Sequence, residues 1–315
     1  MKNIQREDIH IIGRHSNLTE KGIGRALKEN IYNDREAWRK FFRLFVISLG
    51  VGFTVSGIIF FFAYNWADLH KFIKIGLAEG LLVATTILVL LPKININTRN
   101  IILTGASVLV GVLFAVFGQI YQTGANAYDF FLAWTVFVTL WVVVSNFAPL
   151  WLLYLILINT TLILYSQQVA KEWSGVFVYS LLFVTNTITL ISGIFLSKYE
   201  QLKVPNWFLN TVALASATYA TMGITIGIFD SFRLAFPILI VMTTIVYASG
   251  IWHGLKSKSG FYLSVIPLSL IVIISALLIK ISTGGMMFLL VSLFIITSVT
   301  LTVKNLIDIQ KKWAK

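Results

Sequence analysis

The chain has no cysteine among its 315 residues, which excludes disulfides, thiolate metal sites, iron–sulfur clusters and thiol nucleophiles together. Charge is scarce too. Asp, Glu, Lys and Arg make up 12 % of the residues, against about 25 % in an ordinary soluble domain. A chain so poor in charge cannot cover itself with a wetted surface. Catalytic signatures are also missing: there is no GxSxG, HExxH or P-loop pattern, and Gly22-Ile23-Gly24 is only a fragment of a dinucleotide fingerprint. His10, His15, His70 and His253 lie outside the apolar runs and are not paired at metal-ligand spacing. The expectation is no enzyme, no metal and no cofactor.

What is present is apolar. Hydrophobic residues reach 57 % and the mean hydropathy is +0.83, so lipid is the expected solvent. A helix crossing the hydrocarbon needs roughly 20 mostly apolar residues at about 1.5 Å each. That rule gives ten spans, at about 44–63, 72–91, 101–120, 130–145, 149–165, 174–196, 207–229, 234–252, 261–279 and 285–303. The expected fold is an all-α, polytopic membrane helical bundle, because barrel strands would alternate in polarity and these runs do not. The fourth and fifth spans are separated only by Ser145-Asn146-Phe147-Ala148-Pro149, which suits a tight turn or a re-entrant hairpin.

The basic residues set an orientation. On one side of such a ten-span chain lie Lys71, Lys74, Lys171, Arg233 and Lys280; the rest of the 25 lysines and arginines fall on the other. By the positive-inside rule both termini face the cytoplasm, which points to a bacterial inner-membrane protein. The net charge of +12 is thus a topology signal, and it forms no patch that suggests nucleic acid.

Residues 1–43 read as a cytosolic basic helical segment, 44–303 as the transmembrane domain and 304–315 as a basic tail. Leu18, Ile23, Leu27 and Ile31 recur at helical spacing within 17–32, with Asn17 or Thr19 as N-cap. A second segment, 34–42, runs on into the first span. The expected contacts of this basic region are anionic lipid headgroups, or else a docked membrane-protein partner or second copy.

Charge inside a span is costly, roughly 2.5–3.5 kcal/mol at the helix centre, so Glu79 stands out near the middle of the second span. Gly76, Gly80 and Ala84 form a small-residue ladder beside it, which predicts that Glu79 faces protein. It is the candidate proton- or cation-coupling carboxylate; the alternative is a protonated side chain used for packing. Lys74 lies five residues away, about 140° round the helix, and is not its partner. The other intramembrane polar residues are neutral: Asn159, Thr160 and Thr161, then Thr185, Asn186, Thr187 and Thr189, then Thr211, Ser216, Thr218 and Thr221. These are expected to bond helix to helix rather than line a cavity.

Two motifs mark the boundary opposite the cytoplasm. Ala63-Tyr64-Asn65-Trp66-Ala67-Asp68-Leu69-His70 ends the first span. Gly118-Gln119-Ile120-Tyr121-Gln122 through Asp129 to Trp134 joins the third and fourth. Asn65, Trp66, Asp68, His70, Gln119, Tyr121, Gln122 and Asp129 are candidates for a shared outward-facing site; the alternative is interfacial anchoring and capping. The spacings AxNWxxL and GQxYxxxxxxxxxFxxW resemble those of a family of bacterial membrane proteins catalogued as domain of unknown function 2157, over about residues 15–165. That resemblance implies an integral inner-membrane protein and assigns no activity.

The leading expectation is a transporter of a small molecule, lipid precursor or ion, coupled through Glu79. The runner-up is a non-transporting scaffold or accessory protein of the envelope. An internal repeat would support transport. The one short match pairs Ser56-Gly57-Ile58-Ile59-Phe60 with Ser192-Gly193-Ile194-Phe195.

Overall fold

A computed structural model describes residues 9, 12–13, 19–30, 35–65, 67–121, 124–198, 204–231, 233–281 and 286–313. All regular structure among them is helical. In chain order the eleven helices are α1 (Glu20–Asn30), α2 (Arg35–Tyr64), α3 (Lys71–Leu90), α4 (Ile96–Tyr121), α5 (Ala127–Ser145), α6 (Ala148–Gln168), α7 (Gly175–Lys198), α8 (Asn206–Phe229), α9 (Ala235–Lys256), α10 (Gly260–Ile281) and α11 (Met286–Trp313). The ten from α2 to α11 are long and apolar enough to cross a membrane. The protein is a polytopic helical membrane protein, and lipid contacts its outer faces. It divides into two compact units, 1–109 and 110–313.

In the first unit, the backbone N–H of Gly22 donates to Thr19 Oγ1 at 3.3 Å, so Thr19 caps α1; Asn17 lies outside the described residues. Leu27 is the buried residue of α1. Helix α2 runs unbroken from Arg35 to Tyr64, so the charged segment before the first apolar run and the span itself form one rod. Its Val51 side chain packs against Gly105 of α4, where an added Cβ would stand 2.6 Å from Val51 Cγ1.

In the second unit α5 and α6 form a hairpin. Asn146 takes the left-handed conformation at φ 46° to end α5, and Pro149 stands in the first turn of α6. Asn tolerates that region better than other residues with a Cβ. Bonds tie the pair from end to end: Trp151 Nε1 donates to the Val142 carbonyl at 3.0 Å, Thr139 Oγ1 meets Tyr154 Oη at 3.0 Å, and the Tyr128 N–H donates to Gln168 Oε1 at 3.0 Å. With 19 and 21 residues, both helices approach or reach the roughly 30 Å of a hydrocarbon core. A re-entrant hairpin is therefore not needed to explain the short Ser145–Pro149 linker.

Helix α8 is the hub, packing against α7, α9 and α10. Its buried face is mostly small: Ala213, Ser216, Ala217, Ala220, Gly223 and Gly227. Lipid tails are as apolar as leucine, so helices in a membrane gain from close van der Waals fit, which small residues allow. At Gly223 an added Cβ would meet Leu239 at 2.7 Å and Tyr179 at 3.0 Å, and at Gly227 it would meet the Phe236 ring at 2.2 Å. Phe183, Leu182, Val212 and Leu239 complete the centre, each fully buried.

Candidate functional site

Glu79 is exposed on α3, whose buried residues are Lys74, Ala78 and Val89. The expected protein-facing carboxylate is thus corrected within this chain: the helix buries a different face. Among the described residues nothing lies within 4 Å of a Cβ built at Gly76 or Gly80, so no described helix packs on the two glycines beside Glu79. Lys74 and Glu79 stand on different sides of α3, as their spacing requires.

The boundary motifs take local structural roles where they are described. Asn65 closes α2: its backbone N–H and its Nδ2 both donate to the Phe61 carbonyl, each at 3.0 Å. Asp68 and His70 are exposed, and the His70 ring lies 5.5 Å from that of Phe72. Gln119 is exposed, and Tyr121 packs on Phe117 at 4.5 Å between centroids. Asp129 Oδ2 accepts from the Asn126 backbone N–H at 3.0 Å, the carboxylate half of a capping box at the start of α5. Trp66 and Gln122 lie outside the described residues. The glycine and tryptophan of the second motif pack α4 against α5. An added Cβ at Gly118 would stand 2.5 Å from the Phe130 ring, and one at Gly111 would stand 2.5 Å from the Trp134 ring. Asp129→Ala is expected to lower stability by about 1 kcal/mol through loss of the cap; thermal unfolding in detergent, followed by helical circular dichroism, measures it.

The intramembrane hydroxyls and amides divide by face. Thr211 and Thr218 are exposed and bond back to the carbonyls of Trp207 and Leu214 on their own helix. Ser216 and Thr221 turn inward and join a hydroxyl network in two separate parts, one between α7 and α8 and one among α8, α9 and α10. Thr187 Oγ1 meets Ser216 Oγ at 2.7 Å, Thr221 Oγ1 meets Ser269 Oγ at 2.6 Å, and Tyr247 Oη meets Ser269 Oγ at 2.5 Å. Asn159 of α6 and Asn186 of α7 exchange side-chain hydrogen bonds at 3.3 and 3.0 Å, both buried. Asn159, Asn186, Thr187, Ser216 and Thr221 thus bond helix to helix as expected, whereas Thr161, Thr185, Thr189, Thr211 and Thr218 bond to carbonyls of their own helices.

A cavity that had not been expected lies against this network. It is lined by α7, α8, α9 and α10, is open on one side, and has a volume of about 300 Å³. That is the lower end of the range for small-molecule sites, and the lining is apolar with a few polar groups, as such sites are. Thr187, Ser216 and Tyr247 are its buried polar lining residues, and their hydroxyls are hydrogen-bonded within the bundle. From there the α7 residues Leu190, Ile191, Ile194 and Phe195 lead to Lys198 in the last turn, while on α9 the wall ends at His253. Thr187 to Lys198 is eleven residues, about 16 Å along the helix axis. Among the described residues that line the cavity there is no aspartate or glutamate. Its chemistry is that of a receptacle for an apolar body, with hydrogen-bonding groups deep inside and cationic or titratable groups at the helix ends.

Sequence reasoning named Thr187 and Ser216 but missed Tyr247, His253 and Lys198. One signal was available. Thr187, Leu190, Ile191, Ile194 and Lys198 recur at three- and four-residue spacing, a single stripe of α7 that ends in a charge. In a span apolar all round, hydrophobic periodicity does not mark which stripe faces inward.

The short match between 56–60 and 192–195 does not extend to surroundings: Gly193 sits against Leu209, at 2.8 Å for an added Cβ, whereas Gly57 has open space. No curated protein and no solved structure matches the chain. Residues 19–151, which include both boundary motifs, match the model of the family described as predicted membrane protein (DUF2157), the family those motifs resemble.

Proposed function

We propose that this chain transports a small, largely apolar molecule of the lipid-precursor kind, and that the cavity among α7 to α10 is its substrate site. The observation that carries the reading is the cavity itself, which joins helix ends bearing Lys198 and His253 to buried hydroxyls within the bundle. A scaffold has no need of such a space, since an unfilled cavity forfeits packing. An outward-facing role is likewise proposed for Asn65, Asp68 and His70 of the first unit and, separately, for Gln119, Tyr121 and Asp129 of the second, with Trp66 and Gln122 beside them in sequence.

Glu79 is the proposed coupling group, supported by being the only acidic residue in the middle of a span. Placement in a bacterial inner membrane with both termini cytoplasmic is likewise proposed from the lysine and arginine distribution. The absence of native cysteine makes that orientation directly measurable by labelling single introduced cysteines.

The test is transfer of a fluorescent single-chain probe between leaflets of proteoliposomes. Filling the cavity with Ala213→Phe is expected to slow transfer at least about ten-fold, since the site is then occupied. Ala213→Leu, a smaller intrusion, should give an intermediate rate. Equal rates in wild type and both variants, with helicity intact, would remove the cavity from the mechanism. Glu79→Gln is expected to abolish any dependence of the rate on an imposed proton gradient, and a retained dependence excludes Glu79.

A second reading, a scaffold for another membrane protein, is favoured by α2 and α11. Helix α11 buries no residue and α2 only Phe62, and Gly50, Gly52 and Gly57 of α2 have nothing within 4 Å of an added Cβ. Those faces are open to lipid or to a partner helix.

A further inference from the structure

On the reading of the cavity as a substrate site, we infer that it is a wedge which admits one hydrocarbon chain sideways from the bilayer. The chain enters between α7 and α9, methyl end first, and its polar end stays at the mouth. The helix packing, the lining and the open side each support this.

Glycine contacts build the wedge. Early in α9, Leu239 stands 2.7 Å from a Cβ added at Gly223 of α8, and Phe236 meets one at Gly227. Late in α9 the close contacts have passed to α10. There Ile266 stands 2.8 Å from a Cβ added at Gly250, and Tyr262 and Leu263 each stand 3.2 Å from one at Gly254. Helix α7 stays on α8 instead, with Tyr179 at 3.0 Å from the added Cβ of Gly223 and Leu209 at 2.8 Å from that of Gly193. Helix α9 therefore starts on α8 and ends on α10, and the cavity is the gap that this leaves beside α7. Close packing at both ends of α9 makes the gap part of the fold.

The lining suits hydrocarbon. Apolar side chains dominate it, among them Leu190, Ile194, Val246, Val265 and Ile266. The buried hydroxyls are already engaged, Thr187 with Ser216 at 2.7 Å and Tyr247 with Ser269 at 2.5 Å. A polar chain end brought in among these walls would lose its own partners, a cost that a methyl end avoids. A volume of about 300 Å³ holds roughly ten carbon groups at about 30 Å³ each, which is one chain and not the two tails of a phospholipid.

The open side is continuous with the outer face that meets lipid. Ile191 and Phe195 of α7 and Trp252 of α9 line the cavity and are exposed, at 58, 57 and 63 %. Ser249, one turn before Trp252, lines it and is exposed as well. A chain dissolved in the bilayer thus reaches the cavity without crossing water.

The experiment uses the full chain in phosphatidylcholine nanodiscs and a ten-carbon alcohol brominated mid-chain, which quenches tryptophan. Trp252→Phe identifies the quenched residue. Saturable quenching of Trp252 is expected, and plain decan-1-ol should displace the probe. The ten-carbon diol with a hydroxyl at each end should displace it at least about ten-fold less well at equal concentration in the lipid. Ala213→Phe should abolish the saturable quenching. Ala213→Leu should weaken it in part, which guards against misreading a variant that has failed to fold. Entry is tested with Ile191→Cys and Ser249→Cys together, in a chain that has no other cysteine. Joining the two thiols with a cleavable bifunctional reagent should block association of the probe, and cleavage should restore it.

Equal displacement by the diol, with the quenching still saturable and still lost in Ala213→Phe, would overturn the methyl-first chain while leaving the cavity as a substrate site. Association that the bridge does not alter would overturn entry between α7 and α9. Quenching that never saturates, or that Ala213→Phe does not alter while helicity is retained, means partitioning into bulk lipid only and would overturn both this inference and the substrate site.

Discussion

Gly111→Leu and Gly118→Leu are each expected to destabilise the second unit by about 1–3 kcal/mol, the usual cost of forcing extra carbon into a packed interface. The Trp134 ring lies flat enough against Gly111 that Cη2, Cζ2 and Cζ3 would all come within 2.6 Å of an added Cβ. At Gly118 the Phe130 ring would be met at 2.5 to 3.2 Å. Neither ring can be displaced by turning a flexible tip, because the contact is with the ring body. The two glycines are seven residues apart, about 10 Å along α4, so their effects should add to within about 0.5 kcal/mol. Trp134→Ala is expected to relieve Gly111→Leu but not Gly118→Leu. Unfolding in mixed detergent micelles, read by circular dichroism, measures all of these. Tolerance of both leucines at less than about 0.5 kcal/mol would show that the rings are free to move aside.

These glycines also show what could be read in advance. Number, length and type of the membrane helices follow from composition and run length, because each span must satisfy its own backbone in lipid. The α5–α6 turn followed from Asn146 and Pro149, and the merging of 34–42 with the first span followed from its helical content. Rotation of each helix did not follow. The ladder Gly76, Gly80 and Ala84 was the obvious one because a charge stands beside it, yet no described residue packs on its two glycines. The ladder that does pack is Ala213, Ala217, Ala220, Gly223 and Gly227 of α8, which has no charge to draw notice. Small residues permit close approach wherever they occur; which ladder is used depends on a partner surface that one sequence does not reveal. The second boundary motif was legible as a pattern but not as a role. Its Gly118 and Trp134 point at a neighbouring helix while Gln119 and Tyr121, one and three positions on, point away. Neighbouring letters of one motif thus serve different faces, because successive helical residues are turned by about 100°.

The same rotation argument singles out Asn186 in the second unit. It is fully buried, its Nδ2 donates both to Asn159 Oδ1 and to the Leu182 carbonyl, and its Oδ1 accepts from Asn159. Asn159→Leu leaves the Asn186 oxygen without its partner, and Asn186→Leu strands both ends of the Asn159 amide. Each is expected to cost about 1–3 kcal/mol, the penalty for an unsatisfied buried polar group. The double variant removes the need along with the partners, so it should cost less than the two singles combined. Side-chain hydrogen bonds between membrane helices couple by about 0.6 kcal/mol on average and up to about 1.7. A reciprocal, fully buried amide pair belongs at the upper end, and a double-mutant cycle giving less than about 0.3 kcal/mol would mean that the amides act independently. The consequence reaches the cavity. Thr187 follows Asn186 directly and bonds Ser216 at 2.7 Å, so the amide pair on one side and the hydroxyl pair on the other fix how α7 is turned about its axis. With the amides removed, the stripe from Thr187 to Lys198 is no longer held toward α8 and α9. Asn186→Leu is therefore expected to slow transfer of the fluorescent single-chain probe as well as to lower stability. Loss of stability with an unchanged transfer rate would show that the Thr187–Ser216 bond sets the rotation by itself.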